Sequence, residues 1–206
     1  MNENFKDYVP VEKGKKVQIK MPGGYSKLYE ALKDSNIYIK EIDEENIDKI
    51  INEYKFIKEN FSDLLPENQL VIAGENKDSA KAYILMQKVE HCPITRETYF
   101  NFASNLDNVL SRVIDFYIKN LKINPRQNIY YGEIIDIIPR NIIWGKTKDD
   151  KNPRIYLIDN YPSLKIKRNE LLEIISMILE SFGIKNPEKL LPKTTENIQK
   201  LHQLNN

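Results

Sequence analysis

A disulfide within the chain is excluded at once, because its 206 residues include one cysteine, Cys92. A lone thiol fits a reducing compartment. His91 has no metal-spaced partner, so a histidine-cysteine metal site is not indicated. An excess of one charge is also missing, with 31 Lys and Arg against 30 Asp and Glu. That balance removes the general basic footprint of a nucleic-acid binder. Long apolar runs are absent too. The most apolar stretch, 134–144, contains Asp136, Pro139 and Arg140, and is too short and too charged to span a bilayer. Residues 1–7 lack the apolar segment of a secretory signal. There is no internal repeat and no low-complexity tract. These absences lead to the expectation of a cytoplasmic protein that engages neither membrane nor nucleic acid.

What is present is core-forming material. Hydrophobic residues make up 41% of the chain, with 12 Tyr and 7 Phe, enough to bury a core. Residues 17–21 and 27–31 flank Pro22, Gly23 and Gly24. Glycine supplies the positive φ of a tight turn, so a β-hairpin is expected. Residues 36–40 read as a third strand, short, alternating and rich in β-formers. Over 44–61, Ile47, Ile50, Ile51, Tyr54, Ile57 and Phe61 keep the spacing of one buried helical face. Strands are expected at 69–73 and 81–87, around a polar turn at 74–78. The second half reads as mostly helical. Tyr99, Phe102, Leu106, Leu110, Val113 and Tyr117 mark a long helix ending near Asn120. Leu171, Ile174, Ile175 and Ile178 mark another over 168–182, with Gly183 as its C-terminal stop. Asn186 and Pro187 open a last helical segment. Two short strands, 142–144 and 155–158, bracket a charged hairpin tip at 146–151 that reads as solvated. The change from β-rich to α-rich falls near 90–93.

The residues with the clearest chemical meaning are Asp136, Ile137, Ile138, Pro139, Arg140 and Asn141. Asp and Asn stand five apart around a proline, just before an apolar strand. Asp159 follows eighteen residues after Asn141, at the end of another apolar strand. If the two strands form a hairpin, Asn141 and Asp159 share its open end. Their side chains offer the hard oxygen ligands that Mg²⁺ prefers. Asp136 is then placed to accept a proton from an attacking hydroxyl.

This D-x-x-P-x-N pattern, followed by an apolar strand and Ile158-Asp159, resembles the catalytic loop and magnesium motif of the protein-kinase-like superfamily. The first half resembles the same family in order. Gly23 to Ala31 is similar to its glycine-rich loop and second strand, with Leu28 where a Val packs on adenine. Ile37, Tyr38, Ile39 and Lys40 resemble the strand ending in a phosphate-binding lysine. Glu53, on the flank of the helix's apolar stripe, matches the glutamate that pairs with that lysine. Residues 84–90 resemble the fifth strand and hinge, with Met86 as gatekeeper and Gln87 to Val89 offering backbone groups to adenine. The resemblance covers roughly 17–162. It implies an α+β, two-lobed fold: residues 1–90 as a nucleotide-binding lobe of five strands and one helix, and 91–206 as a truncated helical lobe. ATP and Mg²⁺ are the implied cofactors, with ATP between the lobes. Asp136 is the implied base, and Asn141 and Asp159 the implied metal ligands. The implied activity is transfer of the γ-phosphate to a hydroxyl on a protein or a small molecule.

Departures from the family pattern keep a second reading open. Ile134 and Ile135 replace the His-Arg before the catalytic Asp, Tyr161 replaces the glycine of the magnesium motif, and the glycine loop lacks its full set. Little chain after Pro162 remains to hold a peptide substrate. The alternative is a catalytically inactive pseudokinase that presents a binding surface. Residue by residue, Lys40 also reads as a strand-end lysine, Glu53 as a solvated helix residue, and Asp136 with Asn141 as a turn pair.

Overall fold

The computed structural model describes residues 13–16, 27–31, 33–42, 46–73, 81–124, 129–158 and 164–203. The fold is mixed α+β, and the chain divides into two compact units. One comprises residues 1–90 with 147–150, the other residues 91–146 with 151–206. Among the described residues no helix is long and apolar enough to cross a membrane.

The first unit is built on an antiparallel sheet. Its strands are β1 (Lys13–Lys16), β2 (Lys27–Ala31), β3 (Ile37–Ile42), β4 (Asn68–Ala73) and β5 (Lys81–Gln87), in the order β1-β2-β3-β5-β4. The strand paired with β2 lies at Lys13–Lys16. Residues 17–21, Gly23, Gly24 and the turn at 74–78 lie outside the described residues. Strand alternation gives the sheet two faces. Tyr29, Ala31, Ile37, Ile39, Val71, Ala73, Tyr83 and Leu85 share one and form a compact apolar cluster there.

Helix α1 (Ile47–Phe61) connects β3 to β4. Asn46 caps it, its Oδ1 accepting from the Lys49 N–H at 3.0 Å. Ile47, Ile50, Ile57 and Phe61 are its buried stripe. A 3-10 turn, Ser62–Leu64, ends it. The Tyr54 hydroxyl ties the helix to β4, donating to Asn68 O at 3.1 Å and lying 3.0 Å from its Oδ1. Burial pushes that hydroxyl's pKa up to about 12.

Residues 147–150 group with this unit, and the tip at 146–151 is largely exposed as expected, with Lys146, Lys148, Asp149 and Lys151 all exposed. Thr147 is buried, and its N–H and hydroxyl both donate to Asp150 Oδ2, at 2.6 and 2.9 Å. The Gln87 amide donates to Asp149 Oδ2 at 2.7 Å and to Glu67 Oε2 at 2.9 Å. The exposed tip is thus tied at one point, Asp149, to the buried Gln87 amide.

The second unit holds more sheet than a helical lobe implies. β9 (Ile142–Lys146) and β10 (Arg154–Leu157) form the expected hairpin, and β6 (Glu90–His91) joins β9 in a three-stranded sheet. A second sheet has the order β11 (Leu164–Lys167), β8 (Ile129–Ile134), β7 (Lys122–Asn124). Its three strands were not expected, although helix still outweighs strand among the described residues of this half. Gly132 sits within β8 opposite Ile166, and the Tyr117 hydroxyl donates to Ile166 O at 3.3 Å.

Four helices complete the unit: α2 (Tyr99–Lys119), α3 (Arg168–Ser181), α4 (Pro187–Leu190) and α5 (Pro192–Gln203). Phe102 of α2 stands edge-on to Trp144 at 5.7 Å between ring centroids and tilted to Phe182 at 5.1 Å. α3 ends as expected at Gly183, which has φ +64°. Gly183 N–H donates to Glu180 O at 3.0 Å and Ile184 N–H to Leu179 O at 2.9 Å, the paired bonds of a Schellman stop.

The closing segment is two helices rather than one, and the second docks on α2 through polar contacts. Asp107 accepts from the N–H groups of Thr194 at 2.8 Å and Lys193 at 3.3 Å. It thereby caps the first turn of α5 from another helix, where a carboxylate also meets the positive end of the helix dipole. Asn197 Nδ2 adds a bond to Ser111 O at 2.8 Å. Thr194 and Asn197 are both buried, so these bonds satisfy groups removed from water. Asp107→Ala is expected to cost about 1.5–3 kcal/mol, the range for hydrogen bonds to a charged group. Urea unfolding followed by circular dichroism checks it, and an unchanged midpoint would show the cap to be dispensable.

Candidate functional site

The sheet register decides which side chains of the first unit can act together. Leu28 lies opposite Lys40, which lies opposite Ile84. Tyr38 lies opposite Met86. Directly opposed residues share a face, so Leu28, Tyr38, Lys40 and Met86 all project from the face away from the apolar cluster. Lys40 is buried, at 5% exposure, while Leu28, Tyr38 and Met86 are half-buried. Lysine is rarely buried unless paired, and in β3 it stands beside a second buried charged residue, Glu41. Glu53 is half-buried on α1, whereas Glu59 is exposed.

At the end of β5 the chain turns through Gln87, Lys88 and Val89. The N–H of Gln87 donates to Glu67 O at 2.8 Å, and that of Lys88 to Asn36 O at 2.7 Å. In a base-reading role these two residues therefore have carbonyls to offer rather than N–H groups. The Gln87 side chain faces the other way and is held by Glu67 and Asp149.

In the second unit, Asp136 and Asn141 sit on one short loop between β8 and β9. A 3-10 turn, Pro139–Asn141, shapes it. Asp136 Oδ1 accepts from the Ile138 N–H at 3.3 Å, and Asn141 N–H donates to Ile138 O at 2.8 Å. Asn141 is buried, at 2% exposure, and Asp136 is half-buried. The hairpin continues one step past its last strand pair, Leu157 with Ile142. There the Ile158 N–H donates to Asn141 O at 2.8 Å. The residue before Asp159 is thus bonded to Asn141. Asp159 lies outside the described residues, as do Gly23 and Gly24. Among the described residues no three His, Cys, Asp or Glu side chains gather as a metal site.

The departures before Asp136 have a physical explanation. Ile134 and Ile135 are fully buried, at 0% exposure. The strand entering the loop is therefore anchored by core packing, with no charged side chain at that position.

Sequence reasoning passed over two participants. From sequence Tyr38 reads only as a strand residue, although its spacing of two from Lys40 puts both on one face. Asp149 reads as part of a solvated run, and no sequence signal ties it to Gln87. Set against known proteins, the chain matches no family model and no curated protein. A functional reading therefore rests on the chain's own geometry.

Proposed function

We propose that the protein is an ATP- and Mg²⁺-dependent phosphotransferase of the protein-kinase-like kind, acting on a hydroxyl of a protein or small molecule. The observation that carries the reading is the Ile158-to-Asn141 bond of 2.8 Å, with Asp136 five residues earlier in the same loop. It supports a placement in which Asn141 and Asp159 hold Mg²⁺ through oxygen atoms. Asp136 then orients and deprotonates the acceptor hydroxyl. The opposition of Leu28 and Lys40 on one sheet face supports roles for Leu28 against the base and Lys40 on the phosphates. Glu53 positions Lys40, and Met86 with Gln87 and Val89 borders the base. Gly23 and Gly24 complete the phosphate loop. The five-strand order supports the two-lobed fold that these roles need. Mg²⁺ would neutralise charge on the phosphates, so the protein's task is positioning and charge stabilisation.

Isothermal titration of ATP with Mg²⁺ into the wild type and Asp159→Ala tests the reading. Magnesium-dependent binding that disappears in Asp159→Ala is the expected result. No binding to the wild type would sink it.

One observation favours a second reading, an inactive scaffold. Ile134 and Ile135 are wholly buried where the family uses polar groups, so that link to an activation segment is gone. Phosphate transfer separates the two.

A further inference from the structure

Tyr38 has no role in the reading above, yet it stands on the same face as Leu28, Lys40 and Met86. Its neighbours across the sheet are Glu30 and Met86. Lys88 Nζ lies over its ring, 5.7 Å from the centroid, within range of a cation–π attraction. Lys88 follows Met86 by two residues, so the contact ties the ring to the segment that would border the base. Side chains stand roughly perpendicular to a sheet, and a tyrosine is a large rigid one. The ring therefore projects from the face that also carries Leu28 and Met86, one pair along from Leu28 and Lys40. A base stacking on the ring instead would have to displace the Lys88 ammonium. Beyond Lys40 this face is closed by packing, since Ile42, Ala82 and Ile84 are all buried.

We propose that Tyr38, held by Lys88, occupies the base position of this face, so that the protein selects the magnesium-polyphosphate part of a nucleotide and discriminates little among bases. This rests on the nucleotide reading above and names the part of the substrate that the site recognises. A nucleoside triphosphate is then held through its phosphates by Lys40 and the metal. The base, still bordered by Leu28 and Met86, adds little, because the ring crowds its place. Truncating the ring opens that place and lets Leu28, Met86 and the following carbonyls contribute.

The test is calorimetric titration of ATP, GTP and inorganic tripolyphosphate, each with Mg²⁺, into the wild type, Tyr38→Ala and Tyr38→Phe. The wild type should bind all three within about three-fold, a difference well under the ten-fold that 1.4 kcal/mol represents. Tyr38→Ala should bind ATP at least about ten-fold more tightly, with tripolyphosphate unchanged. Tyr38→Phe keeps the ring and should behave as wild type. If circular dichroism shows Tyr38→Ala unfolded, Tyr38→Val, a smaller strand former, takes its place. Tripolyphosphate binding with an unchanged ATP-to-tripolyphosphate ratio in Tyr38→Ala overturns the inference and leaves the nucleotide reading standing. Weaker ATP binding in Tyr38→Ala, with Tyr38→Phe unaffected, also overturns it, because the ring is then a stacking platform. Absence of binding by every compound to every protein overturns both.

Discussion

If the proposed function holds, Asp136→Asn is expected to lower phosphate transfer by a factor of about 10²–10⁴, the usual contribution of a positioned general base, and to leave magnesium-dependent ATP binding unchanged. The substitution is close to isosteric. Asn keeps an oxygen to accept the Ile138 N–H, the 3.3 Å bond that fixes the side chain in its loop. The 3-10 turn through Asn141 has no reason to move, so the proposed Mg²⁺ coordination should persist. What the amide cannot do is take a proton from the acceptor hydroxyl. The measurement is ADP release under saturating Mg-ATP with a panel of small alcohols and hydroxyl-bearing peptides, beside a binding titration of the same preparation. Equal turnover in the wild type and Asp136→Asn would remove Asp136 from the chemistry. Binding without turnover in either protein would favour the scaffold.

The second large effect is steric. Gly132→Ala is expected to destabilise the protein by about 1–3 kcal/mol, the cost of overpacking a filled core. A Cβ at Gly132 would come within 2.5 Å of two Tyr117 ring carbons and 3.1 Å of a third. A flexible side chain could swing aside; this ring cannot do so cheaply. Tyr117 is wholly buried, and its hydroxyl is bonded to Ile166 O at 3.3 Å, on the strand that pairs with Gly132. Burial pushes that hydroxyl's pKa up to about 12, a shift that Arg168 opposes and Glu170 reinforces. Thermal unfolding of Gly132→Ala, alone and with Tyr117→Leu, separates clash from backbone effects, since a smaller neighbour should return part of the loss. An unchanged melting temperature in the single variant would show that the strand can shift freely. Such freedom would also loosen the four-residue approach to Asp136.

The parts of this fold that were legible are those where one physical signal acts alone. The Ile47-to-Phe61 stripe has helical spacing, a polar outer face and Asn46 as cap, and α1 follows it. Gly183 stops α3 because it alone among the neighbouring residues takes a positive φ without strain. The hairpin of β9 and β10 was legible from two apolar runs around a polar turn.

Legibility failed where signals merged or came from afar. β11 is four residues long and runs directly into α3, so its alternation is absorbed by the helical pattern. β8 carries Gly132 in its centre, which weakens a strand reading; the glycine is explained only by Tyr117, fifteen positions earlier and brought near by folding. The second sheet therefore went unread. The candidate site divides the same way. Lys40, Asp136 and Asn141 come from local patterns, and the structure adds the face shared by Leu28, Lys40 and Met86. The neighbours of Lys40 on that face were not anticipated, because sheet register is not written in any one strand.

The Asp107 cap on α5 also bears on how the chain is made. Its strongest bond joins positions 87 apart in sequence. During synthesis α2 leaves the ribosome long before residues 193–197 exist to pair with it. For that interval the Asp107 carboxylate and the Ser111 carbonyl are served by water. The helix surface later covered by Thr194 and Asn197 stays open to other contacts. At translation rates of about 5–20 residues per second, the gap lasts roughly 4–17 s. Closing it is a late, long-range step whose loop-closure entropy must be met before any α5 bond forms. The second unit is thus open to chaperones and proteases through most of its own synthesis.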